Sequence, residues 1–526
     1  SVATPRFRLS RPKMPAARSP PVLSPDLTAA ARIYVLDLIS SVTLFFCAAL
    51  LAGRVWRFPF DDEVSTLTYV ERSHSIMELL SFADSGFHPP LLFLFLYPLH
   101  RMGLSEAGMR ICSLGLTALS LLLFQLLALG LIAQRSSGHV RLSTRLIAVL
   151  LFGLSPLAIG QGDAIRWYPV FALLFALFIT LYLAAGKEAT RLASAVPLGL
   201  AASTNFVAVI VIAPFLLYRY LLERRFRPSF DVAYWLIFAF FAGLGLPKLL
   251  SIVKDQSAYV VSSEFGSGPL RAVATHILGF FGGDALGVSR AWVIIPVALI
   301  TAFAIFSEID RKRPADPVHL FLLMFGAMAL MVLAGFAKPR SFLYLAPVLA
   351  AILTFFLDRQ SSDRGGGRTM LMAALILAAA VAAIANVDHS TRPFKRNAVV
   401  PYRQILDFIR TNEKESVLIV STDPVVVWEL RHQAAQRQHC VSYFIQNGAC
   451  FAIDRRYDSI FVISGQSHLS RNAGFISRFE AKVTEVTAGR RKMAEMHAGL
   501  DQDAALKSRL TNIPLDEFIL SVQLYE

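Results

Sequence analysis

A chain of 526 residues that is 55% hydrophobic and only 17% charged, with a mean hydropathy of +0.54, is too apolar for a soluble domain of this length. It reads as an α-helical polytopic membrane protein. The formal charge of +14 does not call for a nucleic-acid partner, because the basic residues fall where membrane topology and anionic lipids would place them.

Residues 1–29 form a Pro- and Arg-rich tail with Arg6, Arg8, Arg11, Lys13 and Arg18, and no small-residue cleavage pattern follows, so the first span is expected to stay as an anchor. Apolar runs of roughly 17–25 residues, long enough to cross a bilayer, begin near Ala31, Arg110, Leu146, Pro169, Leu192, Asn205, Val232, Ala291, Val318, Phe342 and Met370. That makes about eleven spans within 30–387. Basic residues collect in alternate loops: Arg135, Arg141 and Arg145; Lys187 and Arg191; Arg219, Arg224, Arg225 and Arg227; Arg311, Lys312 and Arg313; Arg359, Arg364 and Arg368. The positive-inside rule makes these loops cytoplasmic. The apolar segment 88–102 is short for a span and contains Pro98, so it is read as a re-entrant or interfacial helix covered by protein. With that choice the first outer loop 54–87, the 163–167 segment, 203–205, the loop 254–289, 338–340 and everything after about 388 share the extracytoplasmic face.

Residues 388–526 differ in composition. Short apolar strands at 416–420, 441–445 and 459–464 alternate with helical stretches at 402–410 and 425–437, the pattern of a small exported α/β domain. Cys440 and Cys450 flank a Gln446-Asn447-Gly448 turn there, and an oxidising compartment favours a disulfide between them, with two free thiols as the alternative. The Gly-rich 254–289 loop reads either as a lid or as a plain connector.

Chemistry concentrates on the outer face. Asp61, Asp62 and Glu63 follow the first span directly, and repulsion among three adjacent carboxylates is expected to raise at least one of their pKa values towards a useful base. His88 stands before Pro89-Pro90, able to hydrogen-bond a ligand or to cap the helix that the prolines start. Arg166 and Tyr168 lie at the mouth of a span, and Lys338 and Arg340 form a cationic pair at a short outer turn, against the topological bias. Such cations suit a phosphate. No zinc-type His/Cys spacing is present, and no metal or other cofactor is required by this pattern, although the acidic cluster could recruit a divalent cation through oxygen ligands.

Phe60-Asp61-Asp62-Glu63, His88-Pro89-Pro90-Leu91, Ser105-Glu106 with Arg110, the 164–168 stretch Ala-Ile-Arg-Trp-Tyr and the 340–347 stretch Arg-Ser-Phe-Leu-Tyr-Leu-Ala-Pro come in an order and spacing that resembles one known superfamily. It is that of the protein O-mannosyltransferases and aminoarabinose transferases, glycosyltransferases of the C-type membrane fold. The resemblance covers about residues 30–360. It implies a polyprenyl-phosphate sugar donor, a catalytic Asp in the first outer loop and inversion at the anomeric carbon. The family's Asp-Glu pair falls on Asp62 and Glu63, which makes Asp62 the expected general base and Asp61 the reserve. The chain departs from the mannosyltransferases at Gly86, where they carry Asp, and from the aminoarabinose transferases at His88, where they tend to carry Lys.

The expectation is therefore a multi-pass enzyme of a bacterial inner membrane, moving a sugar to a hydroxyl of a lipid, glycan or protein acceptor on the periplasmic side. Two other classes share many spans and outer cations. A transporter or flippase for a lipid-linked sugar would be expected to show ionisable residues near span centres and an inverted repeat. An O-antigen polymerase or ligase would place its key basic residues in a late loop, whereas the acids here cluster early.

Overall fold

The computed structural model describes residues 61–85, 90–135, 162–184, 188–205, 208–224, 226–245, 402–433, 439–443, 457–464, 473–498 and 520–526, with a few single positions near 43 and 319–327. The spans expected to begin near Ala31, Leu146, Ala291, Phe342 and Met370 lie outside these residues, as does the 254–289 loop.

The region expected as a first outer loop is helical over its described part. Helix α1 (Asp61–Arg72) and helix α2 (Ile76–Ser85) are followed by α3 (Leu91–Arg101), which starts after Pro90 and carries Pro98. At eleven residues α3 is about 16 Å long, roughly half a bilayer core. It ends where Gly103 adopts a left-handed φ of +78°, letting its N–H reach the His100 carbonyl and the Leu104 N–H reach Leu99. The turn delivers the chain to α4 (Glu106–Arg135), whose Gly108 N–H is capped by the Ser105 hydroxyl and whose first turn carries Glu106. Arg101 locks this corner by donating to the Ser73 and His74 carbonyls at 3.1 and 2.8 Å, which ties the end of α3 to the α1–α2 turn.

Helix α4 packs most extensively on α5 (Trp167–Ala184). Next come α6 (Glu188–Ala193), α7 (Ala195–Ala202), α8 (Val209–Leu217) with its π-helical continuation Tyr218–Leu222, and α9 (Pro228–Ala242). Among the described residues, Glu106–Phe124 and Pro228–Gly245 are long and apolar enough to cross a membrane. Where a span is expected from Leu192, α6 and α7 have six and eight residues and meet at Ser194, which keeps helical angles (φ −66°, ψ −16°) while its hydroxyl turns back to the Arg191 carbonyl.

Aromatic rings knit these helices together. Phe124 meets Phe175 at 5.5 Å, Phe178 meets Phe215 edge-on at 5.0 Å, and Phe215 meets Tyr182 at 4.7 Å. Between apolar helices such contacts act through dispersion and close fit rather than water exclusion. Helices α7 and α9 approach to backbone contact at Gly199, and Val232, Leu236 and Phe240 face outward from α9.

Arg219, counted among the loop cations in the sequence, lies in a helical turn and is 3% exposed, its Nε 2.9 Å from Asp231 Oδ1 and its Nη1 3.0 Å from the Tyr182 hydroxyl. Phe230 lies beneath its guanidinium, 4.8 Å from ring centroid to Cζ. Charge counting along a sequence cannot see a partner supplied by the next helix.

Among the described residues after 402 there is a five-stranded sheet of order β2-β1-β3-β5-β4. Helix α10 (Tyr402–Asn412) precedes β1 (Val417–Ser421), α11 (Pro424–Gln433), β2 (His439–Tyr443), β3 (Ser459–Ser464), α12 (Ala473–Thr487), β4 (Lys492–His497) and β5 (Ser521–Tyr525). Strands β2, β1 and β3 are parallel, while β5 runs antiparallel to both β3 and β4. Every residue of β1 is buried because both faces are covered: Val417 and Ile419 meet α10 and α11, Leu418 and Val420 meet Phe479 of α12.

Candidate active site

Three separated segments converge where α1, the start of α4 and the entry to α5 meet. Asp61 and Asp62 open α1, their side chains lying outside the described residues. Glu63 turns inward. It is wholly buried, its Oε1 accepts the Ile165 N–H at 2.8 Å, and its Oε2 lies 3.9 Å from Arg110 Nη2. Glu63 therefore holds the 162–167 segment against α1, a role at odds with the expected place among the catalytic carboxylates.

Arg110, one turn into α4, is 2% exposed and shared between two carboxylates, with Glu106 Oε2 at 3.0 Å as its i−4 partner. On the far side of the segment, the Thr117 hydroxyl donates to the Gly162 carbonyl at 2.9 Å. The segment is thus pinned at both ends, by Thr117 at Gly162 and by Glu63 at Ile165.

Between these pins lies Asp163, 1% exposed, which the sequence reading placed on this face without singling it out. Arg166 reaches from the same segment to the Thr66 hydroxyl, 3.3 Å from Nη1, one turn after Glu63 on α1. Arg166 is only 6% exposed. Tyr168 is buried too, its ring 4.4 Å from that of Trp167. Arg166 and Tyr168 do stand at the start of α5, where the sequence puts the mouth of a span, and both are buried there: Arg166 lies against α1, and Tyr168 packs in the interior.

His88, Lys338, Arg340 and Cys450 lie outside the described residues. Cys440 is placed in β2, paired in register with Leu418, but its side chain is outside them as well. Among the described residues no group of three His, Cys, Asp or Glu side chains is arranged to hold a metal ion.

One contributor has no signal in local sequence. Trp428, on α11 of the α/β domain, donates its indole N–H to Glu106 Oε1 across 322 positions of chain. A tryptophan inside an apolar helix reads as core, and only the docking of α11 against α1 reveals the contact.

No protein-family profile matches this chain, and no curated protein matches its sequence. Comparison with solved structures finds the fold. The crystal structure of ArnT from Cupriavidus metallidurans in the apo state matches with a TM-score of 0.52 at 13% identity, covering 94% of this chain and 98% of that one. A second structure of ArnT from the same organism, bound to undecaprenyl phosphate, covers the same shares at 13% identity with a TM-score of 0.48. The fold of this chain resembles that of ArnT.

Proposed function

We propose that this protein is a membrane glycosyltransferase that moves a sugar from a polyprenyl-phosphate donor to an acceptor hydroxyl at the extracytoplasmic face of a bacterial inner membrane. The observation that carries the reading is the clasp of Glu63 on Ile165. It brings the acidic start of α1 and the cation Arg166 into one site on a fold of the ArnT kind.

In this reading Asp62 is the general base, with Asp61 in reserve, while Glu63 orients the site. The base takes the proton of the acceptor hydroxyl, the oxygen attacks the anomeric carbon, and the bond to the phosphate oxygen breaks with inversion. Negative charge then develops on the departing polyprenyl phosphate, where guanidinium and ammonium groups stabilise it. Arg166 supplies one such group from the described residues; Lys338, Arg340 and His88 are the proposed further contacts. The acceptor is a lipid, a glycan or a protein.

A positioned base is worth about 10²–10⁴-fold in rate. Asp62→Asn is therefore expected to bind donor normally and to turn over at about a hundredth of the wild-type rate or less. The decisive comparison is mass spectrometry of glycolipids and surface glycans from a strain lacking the gene, complemented with either form at equal expression. A single sugar that returns with wild type and stays absent with Asp62→Asn supports the reading and names sugar and acceptor. Equal rescue by both removes Asp62 as the base.

The same assay with and without EDTA separates two uses of the acidic cluster. Activity kept under chelation assigns the carboxylates to proton transfer, and activity lost under chelation and restored by Mg²⁺ or Mn²⁺ assigns them to a cation.

A further inference from the structure

Helix α11 belongs to two cores at once. Val426, Val427 and Leu430 pack into the sheet of the α/β domain, whereas Val425 and Trp428 pack into the helical core with Val64 and Leu67 of α1. Its first turn is fixed in place. The Asp423 carboxylate accepts the N–H groups of Val425 and Val426 at 2.9 and 3.0 Å, and the Tyr402 hydroxyl of α10 donates to the same carboxylate at 3.2 Å. The indole of Trp428 is thereby aimed with little freedom.

From that indole a continuous set of polar contacts runs to the site. Trp428 Nε1–H donates to Glu106 Oε1, Glu106 Oε2 accepts from Arg110 Nη2 at 3.0 Å, Arg110 Nη2 faces Glu63 Oε2 at 3.9 Å, and Glu63 Oε1 accepts the Ile165 N–H at 2.8 Å. The balance of this set turns on Glu106. Its side chain is 27% exposed, while Glu63 and Arg110 are buried. The indole holds it on the Arg110 side instead of leaving it to swing towards solvent. Arg110 then stays centred between two carboxylates, and Glu63 keeps the orientation that grips Ile165. Hydrogen bonds to charged groups are the stronger ones, and neighbours in such a set reinforce each other.

We infer that Trp428 is a positioning residue of the site: through Glu106, Arg110 and Glu63, the α/β domain sets the placement of the 162–167 segment, and with it Arg166. The inference rests on the transferase reading only for its kinetic consequence. The domain accordingly completes the site rather than merely shielding it.

The test uses the full-length protein in lipid nanodiscs and the variant Trp428→Phe, which keeps an aromatic ring and lacks the indole N–H. Hydrogen–deuterium exchange of peptides covering 162–168 is expected to rise about tenfold, with exchange in 417–421 and 459–463 unchanged. Glu106→Ala is expected to give the same rise, and the double variant no more than either single one, because both break one set of contacts. In turnover, kcat is expected to fall about tenfold while the donor KM stays within about twofold. Unchanged exchange at 162–168 overturns the inference, as does a rise spread evenly over the sheet strands or raised exchange with unaltered kcat. Exchange is read without any assay of transfer, so it tests the contacts even if Asp62→Asn proves fully active.

Discussion

Arg219 keeps a full charge at 3% exposure because Asp231 faces it, Tyr182 meets it from α5, and aromatic faces surround its guanidinium. Removing one partner of such a pair leaves a buried charge uncompensated, which costs about 3–5 kcal/mol, whereas replacing both with apolar groups is far milder. Arg219→Leu is therefore expected to lower the thermal midpoint in detergent sharply, and Arg219→Leu with Asp231→Leu to recover most of the loss. A double variant as unstable as the sum of the singles would show that the pair is not what holds α8 to α9. Glu63 and Arg110 follow the same physics at the site, with one difference. There, among the described residues, Arg110 faces both Glu63 and Glu106, so the loss of one leaves the other within reach.

At the scale of elements, close approach decides the packing of the shorter helices. A Cβ on Gly199 would lie 2.7 Å from the Phe238 carbonyl oxygen and 2.8 Å from Phe241 Cβ, so any larger residue must push α7 away from α9. The Ser203 hydroxyl donates to the Phe241 carbonyl at the same junction and would be drawn away with it. Overpacking of this kind costs about 1–3 kcal/mol. Gly199→Ala is expected to destabilise by that amount in thermal unfolding. Gly115→Ala on α4, where an added Cβ meets nothing within 4 Å, is expected to be neutral or to stabilise slightly through helix propensity. Equal effects at the two positions would mean that α7 and α9 are not in backbone contact. Residues 61–85 make a related point: their polarity reads as loop, yet α1 and α2 form there because α3 offers Leu92, Phe93 and Leu96 as a surface to pack on.

At the scale of the molecule, helix α11 joins the α/β domain to the helical core, with Trp428 as the polar end of that joint. Detaching the domain would uncover Val425 and Trp428 along with the α1 surface beneath them. For that reason the tests above use substitutions within the whole chain.

Composition and the lengths of the apolar runs carry the membrane reading by themselves, because a chain so apolar has to satisfy its backbone within helices. Local sequence also determined the strands near 417 and 459, whose apolar runs suit a sheet covered on both faces, and the more polar edge strand near 441. Asp61, Asp62 and Glu63 stand out in the sequence as adjacent carboxylates after an apolar run, but the sequence does not show that Glu63 is taken up by the Ile165 amide. What no local pattern carries is partnership. Whether Glu63 faces solvent or the Ile165 amide, whether Arg219 snorkels or pairs with Asp231, and whether Trp428 fills a core or reaches Glu106 depend on groups 12 to 322 positions away. Burial, and with it the meaning of each charge, is a property of the segments that come to rest around a residue, and only the tertiary structure brings those segments together.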